Sequence, residues 1–125
     1  LFGAGQQLFR YRPVQPDILV DEKLELDSLG LSHVGIIHTP GHTGGSQSII
    51  VDNEIALVGD AMFGVFPGSI FPPFAEDAGL LVASWGKLLE TECRTFIPAH
   101  GTENSRELVA KEYKKRIRGY DSQRG

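Results

Sequence analysis

A chain of 125 residues that is 41% apolar is long enough to bury one ordinary core, and no shift in composition marks a second domain. A formal charge of −4 and a pI near 5.5 argue against a nucleic-acid surface, the longest apolar runs are far too short to span a bilayer, and a single cysteine excludes an intrachain disulfide. One unpaired thiol suits a reducing compartment, and a cytoplasmic location is the expectation.

Residues 1–16, with Gly3, Gly5, Pro13 and Pro16, read as a loop or frayed helix leading into the domain. Ile18-Leu19-Val20 and Lys23-Leu24-Glu25-Leu26 are short strand candidates around an acidic turn. From His33 to His38, β-branched Val34, Ile36 and Ile37 run up to Pro40-Gly41, which predicts a strand entering a tight loop that holds His42. Gln47 to Val51 and Ile55 to Val58 flank Asp52-Asn53-Glu54 and predict a hairpin, with Asp60 just past its second strand. Phe63, Phe66, Phe71 and Phe74, interleaved with Pro67, Pro72 and Pro73, exclude a regular helix and leave a long aromatic loop. Leu80, Leu81, Ser84, Trp85, Leu88 and Leu89 then recur at helical spacing, predicting an amphipathic helix from about Asp77 to Glu92. Thr95 to Ile97 predicts a short strand that delivers His100. Asn104 with Glu107 fits a capping box for a last helix whose buried stripe is Leu108, Val109, Tyr113 and Ile117. Its basic end, at Lys111, Lys114, Lys115, Arg116 and Arg118, suits the helix dipole and needs no acidic partner. The domain is expected over 17–118, with a flexible tail over 119–125.

Three segments close apolar runs with a metal-binding residue type: Thr39-Pro40-Gly41-His42-Thr43-Gly44-Gly45-Ser46, Gly59-Asp60-Ala61 and Pro98-Ala99-His100-Gly101. Imidazole nitrogens from His42 and His100 with a carboxylate from Asp60 suit zinc, iron or manganese better than calcium or magnesium. Gly41, Gly44 and Gly45 leave room for His42 to turn inward, and Thr43 and Ser46 are candidates to orient its ring. A single histidine beside a glycine turn is usually a solvated loop residue; the ordered set of three is what points to a site. His33 and His38 stand outside any such motif and are assigned structural roles, Cys93 and Trp85 are assigned to the core, and packing is preferred to a substrate mouth for the loop phenylalanines.

In their order these motifs resemble the C-terminal half of the metallo-β-lactamase superfamily, over roughly Asp17 to Lys115. The resemblance implies an α+β fold, half of an αββα sandwich, with a mainly antiparallel or mixed sheet and two outer helices. It implies that His42 is a ligand of one metal, that Asp60 bridges two and is the catalytic residue, and that His100 completes the second. Two zinc ions, with iron or manganese as alternatives, would then activate a water or hydroxide for attack on an ester, thioester, lactone, amide or phosphoester. The chain departs from the family at the front, because the H-x-H-x-D-H motif that supplies most of the ligands is not in it. It opens on Leu1 and enters the pattern partway, so it is expected to be a fragment of a hydrolase, inactive when isolated and only a weak or partial metal binder.

The short interval between Asp60 and His100 has no room for the large inserted domain of nucleic-acid-processing relatives. The few residues after His100 cannot form the helical domain of hydroxyacylglutathione hydrolases. A small-molecule substrate is therefore expected, with neither nucleic acid nor membrane as a partner. Half a sandwich would leave one sheet face bare, which predicts a homo-oligomer. The competing reading is a non-catalytic half-domain that oligomerises or binds through that face. An iron-dependent oxygenase or electron-transfer relative on the same scaffold is the third.

Overall fold

The structure, a computed structural model, describes residues 12–124. Six short strands lie side by side in chain order: β1 (Lys23–Glu25), β2 (Val34–His38), β3 (Gln47–Val51), β4 (Ile55–Gly59), β5 (Thr95–Pro98) and β6 (Asn104–Ser105). Helix α1 (Ala78–Leu89) crosses over between β4 and β5, which makes that pair parallel; every other neighbouring pair is antiparallel. Helix α2 (Arg106–Arg124) closes the described chain. The result is the expected α+β layer, a mixed sheet with two helices. Asp52 and Asn53 both adopt positive φ, 53° and 54°, and form the tight turn whose twist matches the β3–β4 hairpin.

Three expectations need correction. Ile18-Leu19-Val20 forms no strand, because Glu22 O already takes the His38 N–H at 2.8 Å, and β2 ends there with nothing left for residues 18–20 to pair with. The helix cap lies one residue later than the sequence suggests: Ser105 Oγ accepts from the Leu108 N–H at 3.2 Å, while Asn104 is buried in β6 opposite Phe96. Residues 119–124, set apart as a tail, continue α2, since one glycine at 119 weakens a helix without ending it. Most of the expected lead-in over 1–16 lies outside the described residues; 12–16 are exposed and without regular structure.

Alternation along each strand divides the sheet. One face sends Ile37, Ala56, Val58 and Phe96 into a core with Leu81, Val82, Trp85 and Leu88 of α1 and Val109 of α2. Ala61, Met62 and Ile70, from the loop after β4, are buried in the same core, as is Cys93. Trp85 fills space and also donates from Nε1 to Ala61 O at 2.6 Å, which ties that loop to α1. Arg106, at the start of α2, donates to the carbonyls of Leu89, Thr91 and Cys93 at 2.6, 2.8 and 2.8 Å, and so satisfies the open end of α1. Arg106→Ala strands those three acceptors and is expected to cost about 2–3 kcal/mol. Urea denaturation of the two chains checks it.

Among the described residues no helix covers the opposite face. Strand register there sets Leu24, Ile36, Ile49, Leu57 and Ile97 in one continuous row across five strands. Val34, Val51 and Ile55 form most of a second row beside it. Ile49, Leu57 and Ile97 are 38%, 39% and 38% exposed. A five-strand apolar row left to water is what one layer of a sandwich looks like without its opposite layer.

Candidate metal centre

Topology brings the three motifs to one edge of the sheet. The segment from Thr39 to Ser46 links the end of β2 to the start of β3. Asp60 follows the end of β4, and His100 follows β5, the parallel neighbour of β4, so both strands deliver their next residues to the same side. A register slip between Leu57 and Gly59 turns the chain outward just before Asp60. Rigid strands beneath short loops thereby fix the spacing of three residues that are far apart in sequence.

Asp60 stands between the two imidazoles. His100 Nδ1 is 2.8 Å from Asp60 Oδ1, and His42 Nε2 is 3.5 Å from Asp60 Oδ2. His42 Nδ1 lies 2.8 Å from Phe74 O. A carbonyl only accepts, so His42 carries a proton on Nδ1, and Nε2 is the ring nitrogen that faces the carboxylate. By the same reasoning His100 donates from Nδ1 to Asp60 and keeps Nε2 free. Both rings are thus oriented through one nitrogen and present the other, as metal-binding histidines require. Two donors about 2 Å from one ion sit roughly 3–3.5 Å apart, and the His42–Asp60 distance falls in that range.

The set is open and incomplete. His42, Asp60 and His100 side chains are 22%, 31% and 58% exposed. Among the described residues no three His, Cys, Asp or Glu side chains converge on a common point for an ion, since the free nitrogen of His100 is the one turned away from Asp60. A cleft of about 760 Å³, with Glu25, Asp52 and Glu92 among its walls, lies between the sheet and the end of α1, and none of the three motif residues lines it.

Several supporting residues were not legible in the sequence. Thr43 and Ser46 were candidates to orient His42, but their hydroxyls bond each other at 2.8 Å; the orienting group is the main-chain carbonyl of Phe74, which no side-chain pattern marks. Glu76 Oε2 accepts from the Gly44 N–H at 3.2 Å and secures the same loop. Of the three glycines noted beside His42 only Gly41 is demanded. It has φ 138°, and a Cβ there would lie 2.3 Å from Leu81 Cα, whereas Gly44 and Gly45 have open space. His38 has the structural role expected of it, with Nε2–H donating to Gly44 O at 2.8 Å. The phenylalanines divide. Phe71 packs edge-on to Trp85, but Phe63 stacks on His100 at 4.8 Å between ring centres, Phe74 meets His42 edge-on at 5.9 Å, and Phe66 and Phe74 are exposed.

The foot of the aromatic loop touches the His100 loop closely. Gly64 N–H donates to His100 O at 2.9 Å and Thr102 N–H to Gly64 O at 3.0 Å; a Cβ on Gly64 would lie 1.8 Å from Thr102 O. Gly64→Ala is expected to cost about 2 kcal/mol or more and to lift Phe63 from His100. Chemical denaturation reads the first effect, and loss of the ring-current shift on the His100 carbon protons reads the second.

No family model and no curated protein matches this sequence. Solved structures do. An archaeal metallo-β-lactamase superfamily protein, ST1585 from Sulfolobus tokodaii, matches with a TM-score of 0.55 and 24% identity, over 67% of this chain and 33% of its own. TTHA1623 in a di-iron-bound form matches with a TM-score of 0.56 and 26% identity, over 79% of this chain and 48% of its own. This chain therefore spans between a third and about half of the length of those structures. With one mixed sheet, two helices on one face and a bare apolar row on the other, the chain is one layer of the metallo-β-lactamase superfamily fold.

Proposed function

We propose that this chain is the C-terminal layer of a metal-dependent hydrolase, with His42, Asp60 and His100 as its share of a two-metal site. The observation that carries the proposal is that histidines from two separate motifs bracket one carboxylate, each oriented through Nδ1 with Nε2 left free. The donor chemistry fits. His42 and Asp60 would hold one ion; His100, whose Nδ1 bonds Asp60 Oδ1 and whose Nε2 is turned away, would have to turn its ring to join Asp60 on the other. The metals, when bound, supply Lewis acidity that lowers the pKa of a water and polarises the bond under attack. Phe74 O keeps the His42 proton on Nδ1, Phe63 and Asp60 steady the His100 ring, and Asp60 contributes the negative charge that cations need. The other ligands would come from an H-x-H-x-D-H segment in the opposite layer, and the 125-residue chain alone is therefore inactive in this account.

Zinc is the metal first assigned by the donor set, with iron or manganese as alternatives; the di-iron-bound form of TTHA1623 gives iron added weight. No helix among the described residues is long and apolar enough to cross a membrane. The reading frame that encodes this sequence is expected to continue upstream into H-x-H-x-D-H, and its product to bind two metal ions and hydrolyse small carbonyl or phosphoryl esters. A frame that lacks the motif, or a product that consumes dioxygen with no hydrolysis, contradicts the proposal.

The bare row supports a second property of the isolated chain, self-association. A face of Leu24, Ile36, Ile49, Leu57 and Ile97 carries no charge within the row, and an identical face offers it an apolar surface of the same length. A second copy is the occupant assigned to it when the opposite layer is not supplied.

A further inference from the structure

The cleft of about 760 Å³ occupies the corner of the sheet opposite the three motif residues. His42 follows the end of β2, whereas the cleft opens where β2 begins and β3 ends, beside His33, Asp52 and Asn53. The five residues of β2 set the two places roughly 16 Å apart, at about 3.3 Å per residue. Its floor is on the core side of the sheet and the bare row is on the other, so a second copy applied to that row leaves the cleft open.

The hollow has a local origin. Helix α1 stops at Leu89, and Gly35, aligned with Glu25 of β1 and Ile50 of β3, has no side chain to fill the space beyond the helix end. Gly35, Ile37 and Ile50 therefore make an apolar floor. The walls are tied to one another: Glu92 N–H donates to Asn53 Oδ1 at 3.1 Å, Arg94 N–H to Glu54 O at 2.8 Å, and Asp52 N–H to His33 O at 2.9 Å. A preformed hollow of this volume falls in the range of about 300–1,000 Å³ that small-molecule sites occupy.

Charge at the rim selects the ligand. Five carboxylates and two lysines line the cleft, and both lysines are engaged. Lys23 Nζ pairs with Glu25 at 3.1 Å, and Lys87 Nζ donates to Glu22 at 3.1 Å and to His38 O at 2.7 Å. The arginines that follow α1 are also committed, Arg94 to Glu107 and Arg106 to the carbonyls of Leu89, Thr91 and Cys93. Asp52, Glu90 and Glu92 take part in no ion pair among the described residues. Nor do three acidic or histidine side chains among the described residues converge on one point, as a bare metal ion would need. Negative charge spread around an apolar floor suits a cation with an apolar body, whose planar N–H donors pair with rim carboxylates while the body covers Ile37 and Ile50.

We propose that this cleft is a second ligand site, which takes a small organic cation, an amidinium or guanidinium on an apolar or aromatic body. The proposal does not depend on the hydrolase reading, which concerns the other edge of the sheet.

The test is amide-resolved NMR on the 125-residue chain titrated separately with benzamidine, with its neutral isostere benzamide and with calcium chloride. Benzamidine is expected to shift the amides of Gly35, Ile50, Asn53 and Thr91 saturably, with a dissociation constant of about 1 mM or below, and benzamide to bind at least about tenfold more weakly, or about 1.4 kcal/mol. Asp52→Asn with Glu92→Gln is expected to weaken benzamidine at least fivefold and to leave benzamide unchanged. That variant keeps the fold, because asparagine tolerates the φ of 53° at position 52 and the bond from residue 92 to Asn53 uses the main-chain N–H. Benzamide binding as tightly as benzamidine would make the cleft an unselective apolar hollow, and calcium producing the same shifts at the same concentration would make its rim a diffuse acidic surface; either overturns the proposal. So do an unchanged benzamidine affinity in the double variant, and benzamidine shifts that are absent or confined to Ile49, Leu57 and Ile97. The comparison of benzamidine with benzamide uses the unmodified chain and decides the matter without the variant.

Discussion

Asp60→Asn is expected to abolish metal uptake while leaving the fold intact. Asparagine is nearly isosteric, and in the metal-free site it satisfies both neighbours: its oxygen accepts from His100 Nδ1, as Asp60 Oδ1 does at 2.8 Å, and its amide can donate to His42 Nε2, now 3.5 Å from Asp60 Oδ2. Stability should therefore change by no more than about 1 kcal/mol. The cost falls on the ion, because the substitution removes the negative charge and the one group able to bridge two metals. Cobalt or zinc affinity of the 125-residue chain, weak from the outset with so few donors, is expected to fall by about 10- to 100-fold or below detection. Isothermal titration with a parallel thermal melt separates the effects. Undiminished affinity in Asp60→Asn would remove Asp60 from the site; a collapsed melt would assign it a structural role.

The second large effect belongs to the bare face. Leu57 is at the middle of the apolar row, in register with Ile49 on one side and Ile97 on the other, and all three are more than a third exposed. Covering such side chains contributes about 1–2 kcal/mol each, so a second copy applied to the row gains several kcal/mol from three residues alone. Leu57→Glu places a charge there that a packed interface cannot hydrate or pair. The unmodified chain is expected to sediment as a dimer and Leu57→Glu as a monomer, with dimer affinity reduced at least about 100-fold, or about 2.7 kcal/mol. The monomer should melt as a folded chain, since Leu57 points away from Trp85, Phe96 and the rest of the core. A strictly monomeric unmodified chain at high concentration contradicts self-association through this face.

The sequence made the layer legible because its periodicities are strong. Alternation in β2, β3 and β4 and the leucines of α1 each answer to a local rule, and the three motif residues stand where strands end. Ile18-Leu19-Val20 looked equally strand-like; its failure depends on how many partners β2 has left, which is a tertiary fact. The cap of α2 shifted from Asn104 to Ser105 for a similar reason. Asn104 donates to Phe63 O at 2.9 Å, and its pairing in β6 keeps it out of the helix start. At the site the motif residues were readable and their supports were not. Phe74 acts on His42 through a carbonyl common to every residue, and Arg106 on α1 through three more, so neither role leaves a trace in residue type. The loop aromatics were visible as a group. Which of them pack and which face water was decided by the two feet that fasten the loop to the histidines.

The central claim is that His42, Asp60 and His100 are metal donors held ready in this layer, and the most direct measurement is a zinc titration followed on the imidazole nitrogens by long-range proton–nitrogen NMR. The account predicts a large shift of His42 Nε2, with His42 Nδ1 keeping its proton against Phe74 O, and no response from His33 or His38. Shifts confined to His33 and His38, or none at any histidine at millimolar zinc, would contradict it.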